Sequence, residues 1–266
     1  MTKSWEGAVP VPLKGRSVKP RTTGYTMVIE KGFGLSATKD LMETAADYID
    51  AVKNTFGTAA FLDAELLKKK TAIIRDAGVD VYPGGTFLEA AVVQGCYDEY
   101  LKRSKELGFT AIEVSDGSIE ISLEDRKVII DKAVKMGFKV ISEVGKKDPK
   151  DDPPLEEKYK IIKSDLAGGA FKVIVEAREA SKGVGIYDAS GAVKESEVDA
   201  ILSGVDDPNS LIWEAAIKNQ QLYLIQKFGI NVNIGNVPPE DILALEALRC
   251  GLRGDTLKTF ALQMKK

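Results

Sequence analysis

The chain has 266 residues, 44% of them hydrophobic and 29% charged, and its 37 Lys and Arg against 40 Asp and Glu leave a formal net charge of −3. That composition gives an ordinary globular protein enough apolar material for a sizeable core and excludes a mainly disordered chain, while the near balance of charge argues against nucleic acid as the main partner. Histidine is absent, which excludes a Ser-His pair, a His general base and a His-ligated zinc, so acid–base work falls to Lys, Glu, Asp or Tyr.

Residues 1–20 carry Pro10, Pro12 and Pro20 among Lys and Gly, which suits neither a helix nor a central strand, so an irregular arm is expected there. No secretory signal pattern opens the chain, and no apolar run approaches the roughly 20 residues of a membrane span. Cys96 and Cys250 form no CxxC pair. A reducing cytoplasm without membrane attachment is the expectation.

Beyond the arm one pattern repeats: a short β-branched run, a polar or glycine-rich break, then a segment with apolar residues at helical spacing. Strands are predicted at 26–30, 48–53, 79–82, 111–115, 139–144, 171–176, 211–214 and 230–234. Amphipathic helices fall between them, among others at 64–77, 123–136 and 214–228, with a last one at 238–249 opened by Pro238 and Pro239. Eight strand–helix alternations with no linker predict a single-domain α/β fold, the (β/α)8 or TIM barrel, over 21–256 with a tail at 257–266. An open dinucleotide-binding sheet would need a GxGxxG turn after its first strand, and none follows Glu30.

Barrel active sites lie at the carboxyl ends of the strands, so the polar residues there are the candidates. Alternation puts Glu113 with Ser115 on one face, Glu143 with Ile141, and Glu176 with Ile174, while Glu214 ends the seventh strand and Asn231 and Asn233 punctuate the eighth. Carboxylates at such positions need either Lys and Arg partners or a hard cation, and four on consecutive strands favour Mg²⁺, with Glu143 and Glu176 leading and Glu113 or Asp116 next. Lys31, Lys53, Lys146, Lys147 and Arg178 stand at strand ends beside them, and converging cations suit a small, strongly anionic substrate. Glycine-rich turns at Gly84-Gly85, Gly183-Val184-Gly185 and Gly235-Asn236 offer backbone amides to a phosphate, with Arg178 or Arg253 as the charged contact.

These residues resemble the phosphosulfolactate synthase family. The resemblance rests on Lys19-Pro-Arg-Thr-Thr-Gly24, Met27-Val-Ile-Glu-Lys-Gly32, Asp47-Tyr-Ile-Asp50, Val81-Tyr-Pro-Gly-Gly-Thr86, Ile112-Glu-Val-Ser-Asp-Gly117, Ser142-Glu-Val-Gly-Lys-Lys147, Glu176-Ala-Arg-Glu179 and Gly251-Leu-Arg-Gly-Asp-Thr256. It spans roughly residues 19–256, with departures beside Lys53, Arg178 and Glu214. It implies a Mg²⁺-dependent carbon–sulfur lyase of the cytoplasm that adds sulfite to phosphoenolpyruvate to give (2R)-phospho-3-sulfolactate, feeding coenzyme M or sulfolactate formation. It also implies a homo-oligomer, to which the arm could contribute, and substrate contacts that include Arg21. Protonation of the carbanion-like centre needs a Lys, a Tyr or a protonated carboxyl; the resemblance favours Lys147, with Lys146 as the alternative. Two other readings stay open: a Schiff-base aldolase on the same barrel, and a non-catalytic, stress-related barrel protein.

Overall fold

The computed structural model describes residues 3–177 and 181–263. In chain order the elements are β1 Thr26–Glu30, α1 Leu35–Ala45, β2 Ala51–Asn54, α2 Ala64–Asp76, β3 Asp80–Pro83, α3 Gly85–Val93, α4 Tyr97–Glu106, β4 Ala111–Val114 and α5 Leu123–Lys135. The second half continues with β5 Lys139–Val144, α6 Leu155–Ala167, β6 Lys172–Val175, α7 Glu195–Ser203, β7 Leu211–Glu214, α8 Lys218–Phe228, β8 Ile234–Val237, α9 Ile242–Arg249 and α10 Gly254–Gln263. The predicted tail is thus largely helical. Local chemistry sets several starts: Asp63 Oδ1 accepts from the amides of Glu65 (2.9 Å) and Leu66 (3.0 Å) to open α2, and Ser122 Oγ accepts from Asp125 N to open α5.

All eight strands are parallel, in the order β3-β2-β1-β8-β7-β6-β5-β4. The ring closes where Thr110 N donates to Val81 O and Val81 N donates to Thr110 Oγ1, both at 3.0 Å. This is the (β/α)8 barrel that the alternation predicts. Strand parity separates two cores. Val28, Val52, Val81, Ile112, Val140 and Trp213 point outward against the helices, with Trp213 stacked on Phe228. Tyr25, Met27, Ala51, Tyr82, Ala111, Ile141, Ile174 and Ile212 fill the barrel interior. Two residues further along their strands, Lys53, Glu113, Glu143, Glu176 and Glu214 form the next interior layer, so the apolar plug is the floor of a charged mouth.

Two strand assignments shift. Residues 46–48 form a 3₁₀ turn and Asp50 faces Arg21, so β2 starts at Ala51. The eighth strand starts four residues later than predicted, because Gly229 turns the chain with φ +88° and Asn233 completes the ladder with its side chain, accepting from Tyr25 N (2.9 Å) and donating to Leu211 O (2.9 Å). Asn231 and Asn233 therefore lie at the amino-terminal end, where Asn231 Oδ1 accepts from Ser17 N. The arm runs over that same end, held by Leu13 N donating to Cys250 O and by the Arg16–Glu246 ion pair. Among the described residues no helix is long and apolar enough to cross a membrane.

Candidate active site

A cavity of about 430 Å³ opens at the carboxyl ends of the strands, lined among others by Lys53, Glu113, Glu143, Lys147, Glu176 and Glu214. Lys53 is its central cation: Nζ lies 3.0 Å from Glu113, 3.5 Å from Glu214 and 3.7 Å from Glu143. Burial by itself would depress this ammonium, but the surrounding carboxylates of Glu113, Glu214 and Glu143 outweigh it and raise its pKa well above the ordinary value. Glu113 also accepts from Gly85 N (2.7 Å), and Glu214 accepts from Ala177 N (2.9 Å). A Cβ at position 85 would stand 2.2 Å from Ser115 Oγ and 2.8 Å from Glu113, so only glycine lets α3 start this close to β4.

The expected metal set divides. Asp116 is held by Arg126 (2.9 Å) and Lys146 (2.9 Å), and Arg126 also donates to Glu143 O and pairs with Asp165. That network sits beneath the mouth and leaves Asp116 no part in the cavity. Glu113 is committed to Lys53 and the Gly85 amide. Glu143 and Glu176, at the ends of the paired strands β5 and β6, stay together in the cavity. Burial first and the charge of Glu176 second push the Glu143 carboxyl well above the usual range. Such a pair calls for a proton or a cation. Among the described residues no group of three acidic, His or Cys side chains is arranged to hold a metal unaided; two carboxylates completed by water and substrate oxygens fit Mg²⁺, which binds in that way.

The two lysines of the β5 turn go to different fates. Lys146 is buried and donates to Asp116 O (2.7 Å), Asp116 Oδ2 (2.9 Å) and Ile119 O (2.7 Å), so each ammonium proton pins the loop after β4. Lys147, with 28% of its side chain exposed, enters the cavity and lies against Thr86 Oγ1 (2.6 Å), Ser118 Oγ (3.3 Å) and Glu89 (3.6 Å). Its pKa is raised, because Glu143, Glu89, Glu176 and Glu113 together exceed the opposing effect of burial. Gly117 backs the side chain, and a Cβ there would come within 3.3 Å of Lys147 Cε.

Other expected contacts move or change role. Arg21 lies at the opposite end of the barrel, buried against Asp50 (3.1 Å) and donating to Ser17 O; a residue that precedes β1 enters the barrel from its amino-terminal side. Lys31 is exposed beyond β1 and Arg253 is half-buried at the entry to α10, neither of them lining the cavity. Gly183 N donates to Asp188 O (2.8 Å), and Gly185, with φ +56°, serves a close approach in which a Cβ would stand 2.3 Å from Glu176 O. Gly235 lies within β8 and makes room for Met27 and Ile212, while Asn236 N is turned to Met27 Sδ. The glycines after β6 and in β8 thus serve packing more than a phosphate cradle, although Asn236 itself lines the cavity. Arg178 lies outside the described residues.

Lys182, Thr86, Ser118 and Glu89 are site residues that the strand-end reading missed. The first three line the cavity, whereas Glu89 stands behind Lys147. Thr86-Phe-Leu-Glu89 carries the Thr-x-x-Glu spacing of a helix start, a signal that could have found Thr86 and Glu89 but not Lys182 or Ser118. In the structure Gly84 is the N-cap, and the pair faces Lys147 instead.

The model of the (2R)-phospho-3-sulfolactate synthase (ComA) family matches residues 14–255. The chain is 44% identical to a phosphosulfolactate synthase of Methanothermobacter thermautotrophicus over 91% of its own length and 94% of the relative's. It is 46% identical to the phosphosulfolactate synthase of Methanocaldococcus jannaschii over 88% and 93% of the two chains. Among solved structures the YdjI aldolase of Escherichia coli K12 superposes with a TM-score of 0.52 at 10% identity, covering 92% of this chain and 91% of that one, a likeness of fold alone.

Proposed function

Because the chain belongs to the (2R)-phospho-3-sulfolactate synthase family, a family of enzymes, we propose that its cavity adds sulfite to phosphoenolpyruvate, with Lys147 delivering the proton. The observation that carries this reading is the contrast between the paired lysines: Lys146 spends its three donors on structure, whereas Lys147 stands in the cavity on hydroxyl groups that can release it. Sulfite attacks the methylene carbon, the double-bond electrons move onto the substrate carboxylate, and a proton then reaches the phosphate-bearing carbon. Lys147 is suited to that last step. Its raised pKa keeps it protonated at neutral pH, ready for a centre far more basic than itself, and its fixed anchorage offers the proton to one face, as a single product configuration requires.

Among the described residues the cavity sets Glu113, Glu143, Glu176 and Glu214 against Lys53, Lys147 and Lys182. An excess of carboxylates facing a polyanionic substrate needs a further cation, which supports Mg²⁺ held by Glu143 and Glu176. When bound, that ion would stabilise the charge developing on the substrate carboxylate. We assign the phosphate to Lys182 and Asn236, which line the cavity, while Lys53 holds the Glu113, Glu143 and Glu214 side chains in their geometry.

The test is an assay of phosphoenolpyruvate plus sulfite with Mg²⁺, following an acid-stable organic phosphate. Its formation is expected; its absence in folded, Mg²⁺-loaded protein refutes the reading. Trapping with borohydride should give no adduct, since no imine forms. We extend the proposal to a self-associating cytoplasmic protein, supported by the free cysteines Cys96 and Cys250 and by the exposed Trp5 and Val18 on the arm. A monomeric mass in light scattering at micromolar concentration overturns the self-association.

A further inference from the structure

Glu89 is a carboxylate in the middle of α3, only 2% exposed. One oxygen accepts from Ser115 Oγ (2.6 Å) and the other from Ser118 N (2.9 Å), and the cation in reach is Lys147 Nζ at 3.6 Å. Burying an ionised carboxylate is costly unless a charge and hydrogen bonds compensate it. Glutamine would keep the bond from Ser118 N, but its amide would oblige the Ser115 hydroxyl to accept instead of donate, so both hydrogen bonds, like the charge, call for a carboxylate at this position. Among the described residues Lys147 is the cation that faces this negative charge. Thr86 lies three residues earlier on the same helix face and supplies the 2.6 Å contact to the same nitrogen.

We infer that Thr86 and Glu89 act as a positioning pair, holding the Lys147 ammonium from one rigid helix face at the height of the substrate. Neither touches the reacting atoms in this role. Glu89 sets the direction of the side chain and ties it to the β4 loop through Ser118 N, while Thr86, exposed at the rim, fixes the nitrogen. The packing supports the assignment: Gly117 leaves the strip along which the lysine lies, and Lys147 N donates to Gly117 O at 2.9 Å. A site built on a helix is more exact than one left to a loop, and the lysine otherwise belongs to a turn that begins at Gly145.

The inference rests on the reading of Lys147 as proton donor, so the experiment separates the two. Glu89→Gln, Thr86→Val and Lys147→Met are compared singly and as the two double variants with Lys147→Met, in the phosphoenolpyruvate, sulfite and Mg²⁺ assay. Each single α3 variant should lower kcat by roughly 10-fold, less than the roughly 10²-fold loss of Lys147→Met, with KM for phosphoenolpyruvate within about twofold of wild type. Each double variant should be no slower than Lys147→Met alone, because nothing remains to be positioned. Losses that multiply in the double variants, or full kcat in both single α3 variants, overturn the positioning role while leaving the proton donor in place. Near-normal kcat in Lys147→Met overturns the donor itself. Thr86 is exposed, so Thr86→Val keeps the test decisive if Glu89→Gln does not fold.

Discussion

Replacing Lys146 and Lys147 separately by Met should split stability from turnover between two adjacent residues. Lys146 satisfies two backbone carbonyls and one oxygen of Asp116 in a site where only about 10% of either side chain is exposed. Removing one partner of a buried ion pair costs about 3–5 kcal/mol, and because Arg126 still serves Asp116 the lower end applies. At roughly 2–4 °C per kcal/mol for a chain of this size, Lys146→Met should lower Tm by about 6–12 °C. The folded fraction should retain kcat within a few-fold. Lys147 donates to two exposed hydroxyls but also faces the buried Glu89, whose hydrogen bonds from Ser115 and Ser118 persist, so Lys147→Met should cost about 1 kcal/mol and lower Tm by about 2–4 °C, less than Lys146→Met. Its kcat should fall by roughly 10²-fold, or about 2.7 kcal/mol of barrier. Differential scanning calorimetry beside steady-state assays at saturating phosphoenolpyruvate and sulfite reads both quantities. A collapse of kcat confined to Lys146→Met, or an unchanged Tm in that variant, would refute the division of labour.

Glu143→Gln and Glu176→Gln should each raise the free Mg²⁺ needed for half-maximal activity by an order of magnitude or more, read by titrating chelated enzyme; unchanged titrations would exclude both as ligands. Burial, partly offset by Lys53, lifts the Glu214 carboxyl to about 7. Because this folded-state value exceeds the unfolded one, the contribution of Glu214 to stability is complete below about pH 4.5 and is lost as pH rises through about 7. Glu214→Gln should therefore flatten the fall in Tm between pH 5 and pH 8, and an equal slope in both proteins would count against it. Arg21→Met breaks a buried pair at the far end of the barrel, so it should cost about 3–5 kcal/mol in a denaturant titration and leave KM for phosphoenolpyruvate unchanged.

The order of elements, the barrel and the inward parity of Glu113, Glu143, Glu176 and Glu214 were legible in the sequence, because each depends on local periodicity and strand alternation that no distant contact reverses. Arg21, expected among the substrate contacts, lies at the other end against Asp50, a placement that its position before β1 already implied. Strand β8 was not legible: Ile234-Gly235-Asn236-Val237 reads poorly as a strand until Met27 and Ile212 are seen to fill the space that Gly235 leaves. Nor could spacing divide Lys146 from Lys147, or Asp116 from Glu143. Adjacent residues on a turn leave it in directions set by their partners, and those partners, Asp116 and Ile119 for one lysine, Thr86, Glu89 and Ser118 for the other, arrive from elements 27 to 61 residues away. Only closure of the barrel brings α3, the β4 loop and the β5 turn together. A charge in that mouth is kept or released according to the acceptors around it, and those exist only once the ring has closed.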